Sequence, residues 1–236
     1  MELSRRIEKY WDERSKNFSQ SRRLELDGVD GIAWQKIFKK SLPCHEKALK
    51  ILDVGTGAGF FAAILSKMGH KVIGIDTSAK MLDEAQKNLR ELNLHAEFHK
   101  MNAQNLDLFA DETFDAVVTR NLTWTLPDIR MAYREWRRVL KIGGVMMNFD
   151  SDYGDKDFLD EKTCSKGEIC DKILNECDAI KNSVEISRFR RPKWDKMYLE
   201  GMNFSIRLEE DISYAVHKDK RCFYDSVPLF AIYATK

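Results

Sequence analysis

No uninterrupted apolar run in this 236-residue sequence approaches the roughly 20 residues that a membrane-spanning helix requires. The first twenty residues are densely charged and lack the apolar core of a signal peptide, so a soluble, cytoplasmic protein is expected. Net charge is nearly absent too. With 39 basic and 38 acidic side chains there is no global field to hold a polyanion, and neither nucleic acid nor membrane is an expected partner. Cysteine never occurs as a CxxC pair: Cys44, Cys164, Cys170, Cys177 and Cys222 form an odd, scattered set that suits a reducing compartment. The spacings of six and seven between Cys164, Cys170 and Cys177 match no usual zinc site, and no metal is expected.

Against these absences stands one concentrated feature, Ile51-Leu52-Asp53-Val54-Gly55-Thr56-Gly57-Ala58-Gly59-Phe60-Phe61. It reads as a buried strand turning through three glycines into a helix, where bare backbone and unpaired N–H groups can meet a ligand. The glycines fall at positions one, three and five of the turn, and Phe60 occupies the sixth, where the dinucleotide fingerprint has its last glycine. Asp53 precedes the first glycine by two residues and can face a cationic group rather than a pyrophosphate. Asp76 closes a second apolar strand, Val72-Ile73-Gly74-Ile75, at the distance where an acidic side chain grips ribose hydroxyls.

From residue 47 to about 150, short apolar strands alternate with amphipathic helices, the pattern of a parallel sheet covered on both faces. Helices are expected from Phe60 to Met68, ended by Gly69, and from Ser78 onward with Leu82, Ala85, Leu89 and Leu92 as the buried stripe. Phe114 to Val118 reads as the fourth strand. Asp128 can cap a helix that buries Ile129, Tyr133, Trp136 and Leu140 while its arginines face solvent, and Gly143-Gly144 ends that helix before the strand Val145 to Phe149. Phe204 to Leu208 and Leu229 to Ala234 supply the last two strands. The length suits one doubly wound α/β domain with additions.

The glycine turn resembles the first motif of class I S-adenosylmethionine-dependent methyltransferases. Further segments extend the likeness. Met101-Asn102-Ala103-Gln104-Asn105-Leu106 is similar to the stretch that cups adenine in the methyltransferase type 11 group, typified by ubiquinone and menaquinone biosynthesis enzymes, with Asn102 where aspartate is common. Arg120-Asn121-Leu122-Thr123-Trp124-Thr125-Leu126-Pro127-Asp128 looks like the fourth motif. Arg134 to Gly144 looks like the helix and glycine turn that follow, with Ile142 in place of proline.

The resemblance implies a Rossmann-like seven-stranded sheet, mostly parallel with one antiparallel strand. It also implies an N-terminal helical lid at 1–45, a methyltransferase domain at 46–236 and an acceptor-site insertion at about 151–200. For S-adenosyl-L-methionine, and its product S-adenosyl-L-homocysteine, it implies contacts from Asp53, Gly55, Thr56, Gly57 and Gly59, then Asp76, Thr77 and Met81, and then Asn102, Ala103, Gln104 and Arg120. Tyr10 and Phe18 of the lid join these. On the acceptor side Trp11, Asn121 and Trp124 are expected, together with His217, which lies near Tyr214 between the last two strands, where it can reach the acceptor pocket as a base.

The same segments exclude subclasses. Arg120-Asn121-Leu122-Thr123 lacks the Asn/Asp-Pro-Pro-aromatic pattern of DNA amino methyltransferases, holds no cysteine for covalent attack on a pyrimidine, and places Thr119 and Arg120 where a magnesium-binding Asp would stand. The acidic run from Asp150 to Glu161 and the basic run Arg188, Arg190, Arg191 and Lys193 read as solvated segments. The expected activity is direct in-line methyl transfer to a small molecule by a monomer or homodimer. Alternatives are a non-catalytic cofactor-binding module and an arsenic or thiol methyltransferase using Cys164, Cys170 and Cys177.

Overall fold

The computed structural model describes residues 2–43, 47–158, 171–219, 222 and 226–236. Seven strands form one sheet in the order β3-β2-β1-β4-β5-β7-β6. They are β1 Lys50–Val54, β2 Lys71–Asp76, β3 Glu97–Lys100, β4 Phe114–Arg120, β5 Leu140–Ser151, β6 Ser205–Glu209 and β7 Leu229–Thr235. The first five run parallel, and β7 lies antiparallel to both β5 and β6. Chain order reverses between β1 and β4, and in an open parallel sheet the crevice beyond the strand ends at such a point is where ligands settle.

Helices α3 Phe60–Lys67, α4 Ala79–Glu91 and α5 Ile129–Val139 connect the parallel strands. Ser78 caps α4 by accepting the Met81 N–H, and Asp128 caps α5 by accepting that of Met131, so each helix begins where its polar cap stands. Leu92 departs from its expected place in the stripe: it lies just past the end of α4 and is 38% exposed. β5 also starts earlier than its hydrophobic run suggests. Leu140 already pairs with Phe114, and Gly143, at φ +77°, carries the irregularity through which the strand continues to Val145.

The sheet buries both faces. One is covered by α5 with α7 Lys193–Gly201, where Tyr133, Trp136 and Leu199 are fully buried. On the other, Trp34 and Phe38 of α2 Val29–Ser41 pack edge-on against Phe61 and Phe149. α2 is thus part of the core layer, whereas α1 Glu2–Leu26 packs against α2, α3 and α4. No helix among the described residues is long and apolar enough to cross a membrane.

The acidic and basic runs of the later chain are partly internal. Asp150, Arg191 and Asp195 are all buried, and Arg191 bonds Asp195 at 2.9 and 2.8 Å, Asp150 at 3.4 Å and the Thr123 hydroxyl at 2.7 Å. Tyr133 donates to Asp195 at 2.6 Å, and Asn148 donates to Tyr133 at 3.0 Å. Asp150 and Arg191, both expected at a solvated surface, therefore belong to one enclosed network joining the turn after β4, α5, β5 and α7. Cys164 and Cys170 lie outside the described residues, while Cys177 of α6 Asp171–Ser183 is buried.

Candidate active site

A cavity opens at the carboxyl ends of β1, β2 and β4, roofed by Ser4, Ile7, Trp11 and Phe18 of α1. Those four share one helical face, which explains why Tyr10, a step of about 100° away, points elsewhere. Tyr10 instead packs with Trp124, Tyr153, Cys177 and Ile180 beside α6. Asp12, on the other flank of α1, accepts the Ser78 hydroxyl at 2.5 Å and so fastens the roof to the start of α4.

The glycine turn forms the floor. Gly57 stands at φ +52°, and a Cβ there would lie 3.3 Å from Phe18 Cε1. Gly55 and Gly57 reach the cavity, whereas Gly59 lies outside its wall as the left-handed N-cap of α3. Thr56 and Asp53 also lie outside it. The Asp53 carboxylate turns inward, accepting the Thr56 hydroxyl at 2.6 Å and the Ala62 N–H at 3.1 Å, so it closes the turn and caps α3. Burial pushes its pKa up to about 7, against the lowering from those two donors.

Asp76 ends β2 in the cavity wall. Its oxygens accept the Gly57 N–H and the Ser78 N–H, each at 2.9 Å, which locks the carboxylate against the glycine turn. Desolvation raises its pKa to about 6, opposed by the backbone donors. Thr77, Met81, Asn102, Ala103 and Gln104 continue the wall past β2 and β3. The Asn102 side-chain oxygen accepts the Gln104 N–H at 2.9 Å, and the Gln104 side chain accepts the Asp128 N–H at 2.7 Å, so this loop is braced against α5.

On the β4 side, Arg120 and Asn121 stand in the wall. Arg120 pairs with Glu25 of α1 at 2.7 Å. Asn121 adopts φ +52°, a conformation asparagine tolerates better than most residues, and its side-chain oxygen is buried without a partner. Trp124 stands behind the wall: its indole N–H donates to the Asn121 carbonyl at 3.0 Å and its ring packs on Tyr153 and Phe158. His217 follows α8 Ser213–Val216, outside the wall, with its pKa lowered to about 4 by burial and then by Arg120. The apolar residues Ile75, Met101, Leu122 and Leu126 complete the enclosure. As ordinary strand-end and turn residues they carry no chemical signal in the sequence.

The donor set fits an uncharged nucleoside better than a pyrophosphate. Arg120 is the one cationic side chain in the wall among the described residues, and the β2 side presents Asp76 to the glycine turn. The space a water centre can occupy is about 80 Å³, narrow because Phe18 sits on Gly57.

The methyltransferase domain family matches residues 52–148, from β1 to β5. A demethylmenaquinone methyltransferase of Chlorobaculum parvum is 33% identical over 142 residues, covering 58% of this chain and 56% of that protein. This chain spans about half the length of the curated relatives it matches. A methyltransferase structure from Aquifex aeolicus superposes with a TM-score of 0.61 at 22% identity, over 94% of this chain and 97% of that one. Phosphoethanolamine N-methyltransferase 2 of Haemonchus contortus, solved with S-adenosyl-L-methionine, gives 0.61 at 15% identity over 86% and 52% of the two chains. These structures share the fold, and over residues 52–148 the chain is similar in sequence to the methyltransferase domain family.

Proposed function

We propose that the cavity binds S-adenosyl-L-methionine and that the protein transfers its methyl group to a small-molecule acceptor by direct in-line displacement. The observation that carries this reading is Asp76, a carboxylate at the end of β2 in the wall of a switch-point cavity whose floor is positive-φ glycine. Each of its oxygens accepts one backbone N–H, leaving lone pairs for the ribose hydroxyls. Met81 and Ala103 offer apolar surface for adenine, Gly55 and Gly57 let the ligand approach bare backbone, and Asp53 acts by holding the turn in shape.

When bound, the cofactor supplies a methyl group already activated on sulfonium, so the chain needs no covalent nucleophile. Its own residues have two tasks. The braced loops of β1, β2 and β4 orient the reactants, and Trp11 and Phe18 cover the cavity and exclude water. Incubating the purified protein with isotopically labelled S-adenosylmethionine and a cell extract tests the reading. A labelled small molecule is expected, and cofactor binding with no labelled acceptor at all would reduce the protein to a binding module.

A further inference from the structure

The methyltransferase reading leaves the chemistry of the acceptor open, and the β4 side of the cavity narrows it. The Arg120 side chain is only 9% exposed. Its guanidinium lies over the rings of Trp34 and Phe60, 4.9 and 5.0 Å from their centroids. Its ion-pair partner, Glu25, is almost wholly buried and is shared: Arg22 also pairs with it, and the Trp34 indole donates to it at 3.2 Å. One carboxylate therefore serves two guanidiniums.

Arg22 lies 4.8 Å over the ring of Phe18, which lines the cavity. Arg14, four residues before Phe18, makes no ion pair among the described residues. In Arg14, Arg22 and Arg120 alike, the Nε atom is buried without a hydrogen-bond partner. Asp30 and His217 face this cluster as well. Asp30 of α2 accepts the backbone N–H of Lys218 at 2.9 Å, and His217 is neutral at physiological pH. Arg120 and Arg22 share Glu25, and each keeps a buried Nε that no acceptor meets among the described residues. Partly buried guanidiniums are costly until an anion meets them, and an oxyanion meets their planar edge with charge-assisted hydrogen bonds.

We propose that the methyl acceptor carries an oxyanion, a carboxylate or phosphate, which docks against Arg120 at the β4 side of the cavity, with Arg22 standing behind Phe18 as the second guanidinium. The proposal rests on the methyltransferase reading of the same cavity. A chain whose net charge is only +1 offers no extended field for a polyanion, which suits a small anion instead.

Calorimetry on protein saturated with S-adenosylhomocysteine tests it, with sodium benzoate and inorganic phosphate titrated separately and benzamide as the neutral isostere. One of the anions should bind saturably and at least about tenfold more tightly than benzamide. The tighter of the two distinguishes carboxylate from phosphate. Arg22→Gln, which leaves the Arg120–Glu25 pair in place, should weaken that anion about tenfold. Arg120→Gln, which leaves Glu25 paired with Arg22, should do the same. Saturation by S-adenosylhomocysteine with neither anion binding, or equal anion binding to wild type and both variants, overturns the oxyanion site alone. Absence of S-adenosylhomocysteine binding overturns the methyltransferase reading and this site with it.

Discussion

Phe18 of the N-terminal helix rests on Gly57 of the glycine turn, with its ring edge 3.3 Å from where a Cβ on Gly57 would stand. The contact closes the cavity from above. It leaves about 80 Å³ for the centre of a water molecule, against the roughly 300–1,000 Å³ usual for a small-molecule site. Entry of a nucleoside therefore requires the ring to turn aside, together with Trp11, whose edge-to-face contact with Phe18 is 5.6 Å between centroids.

Phe18→Ala is expected to speed association of S-adenosylhomocysteine while also speeding its release, because the same ring blocks entry and covers the bound ligand. Stopped-flow fluorescence of Trp11 follows both rates. An unchanged association rate would show that the ring is not the barrier.

Asp76 ties cofactor affinity to pH. Its pKa is about 6, so below that value the carboxyl is protonated, loses its charge and turns one oxygen into a donor. Calorimetric affinity for S-adenosylhomocysteine should rise as pH increases through about 6 and then level off. Asp76→Asn should flatten that profile. Asp76→Ala should weaken binding by roughly 1.5–3 kcal/mol, the value of a hydrogen bond to a charged acceptor. Unchanged affinity in the alanine variant would remove Asp76 from its assigned role.

Much of the fold is legible because local signals and tertiary structure agree. Ser78 and Asp128 are cap residues by type and cap α4 and α5, and the apolar runs around Leu52, Ile75 and Val117 are the strands at the centre of the sheet. The site is legible where a residue type is forced by backbone, as at Gly57 with φ +52°. It is not legible where spacing leaves the direction of a side chain open. Asp53 sits where an acid could face either ligand or turn, and only the Thr56 hydroxyl and the Ala62 N–H decide for the turn. Likewise Tyr10 and Trp11 are adjacent, yet one helical step sends only Trp11 to the cavity. Arg191 reads as one charge in a basic run because its partners Asp150 and Thr123 lie 41 and 68 residues away in sequence.

The buried Asp53 predicts a slope of stability with pH. Its folded pKa is about 7 and its unfolded value is the ordinary 3.8. Below about pH 4 it is protonated in both states and contributes nothing. Between there and about pH 7 the folded state keeps a proton that the unfolded state has lost, so stability falls as pH rises, and above that window the loss is complete. Asp53→Asn keeps an oxygen to accept from Thr56 and Ala62 but cannot ionise. Its stability relative to wild type should climb from about pH 4 to 7 by an amount on the order of a few kcal/mol, read as a growing difference in melting temperature. His217, whose lowered pKa gives the opposite slope, is common to both proteins and cancels in the difference. A constant difference across the window would mean that Asp53 is ionised in the fold.

The strongest stability effect is expected at Arg191. Burial disfavours its charge, but Asp195 and Asp150 outweigh that penalty and hold its pKa above the ordinary arginine value. The Asp150 carboxyl is raised by its own burial despite Arg191 and Thr123, so it depends on the guanidinium to remain an acceptor. Arg191→Met leaves Asp150 and Asp195 enclosed without their cation, which costs about 3–5 kcal/mol for a buried pair broken on one side. Urea unfolding should show that loss as a lower midpoint. The damage should also reach the cavity, because the helical turn Thr123–Thr125 is held by Arg191 through the Thr123 hydroxyl, and Thr125 stands in the cavity wall. Affinity for S-adenosylhomocysteine should fall in the same variant, measured well below its unfolding midpoint. Arg191→Lys, which keeps the charge but not the fork that meets Asp195 with two nitrogens, should lie between. A midpoint within experimental error of wild type for Arg191→Met would show that the network does not stabilise the fold.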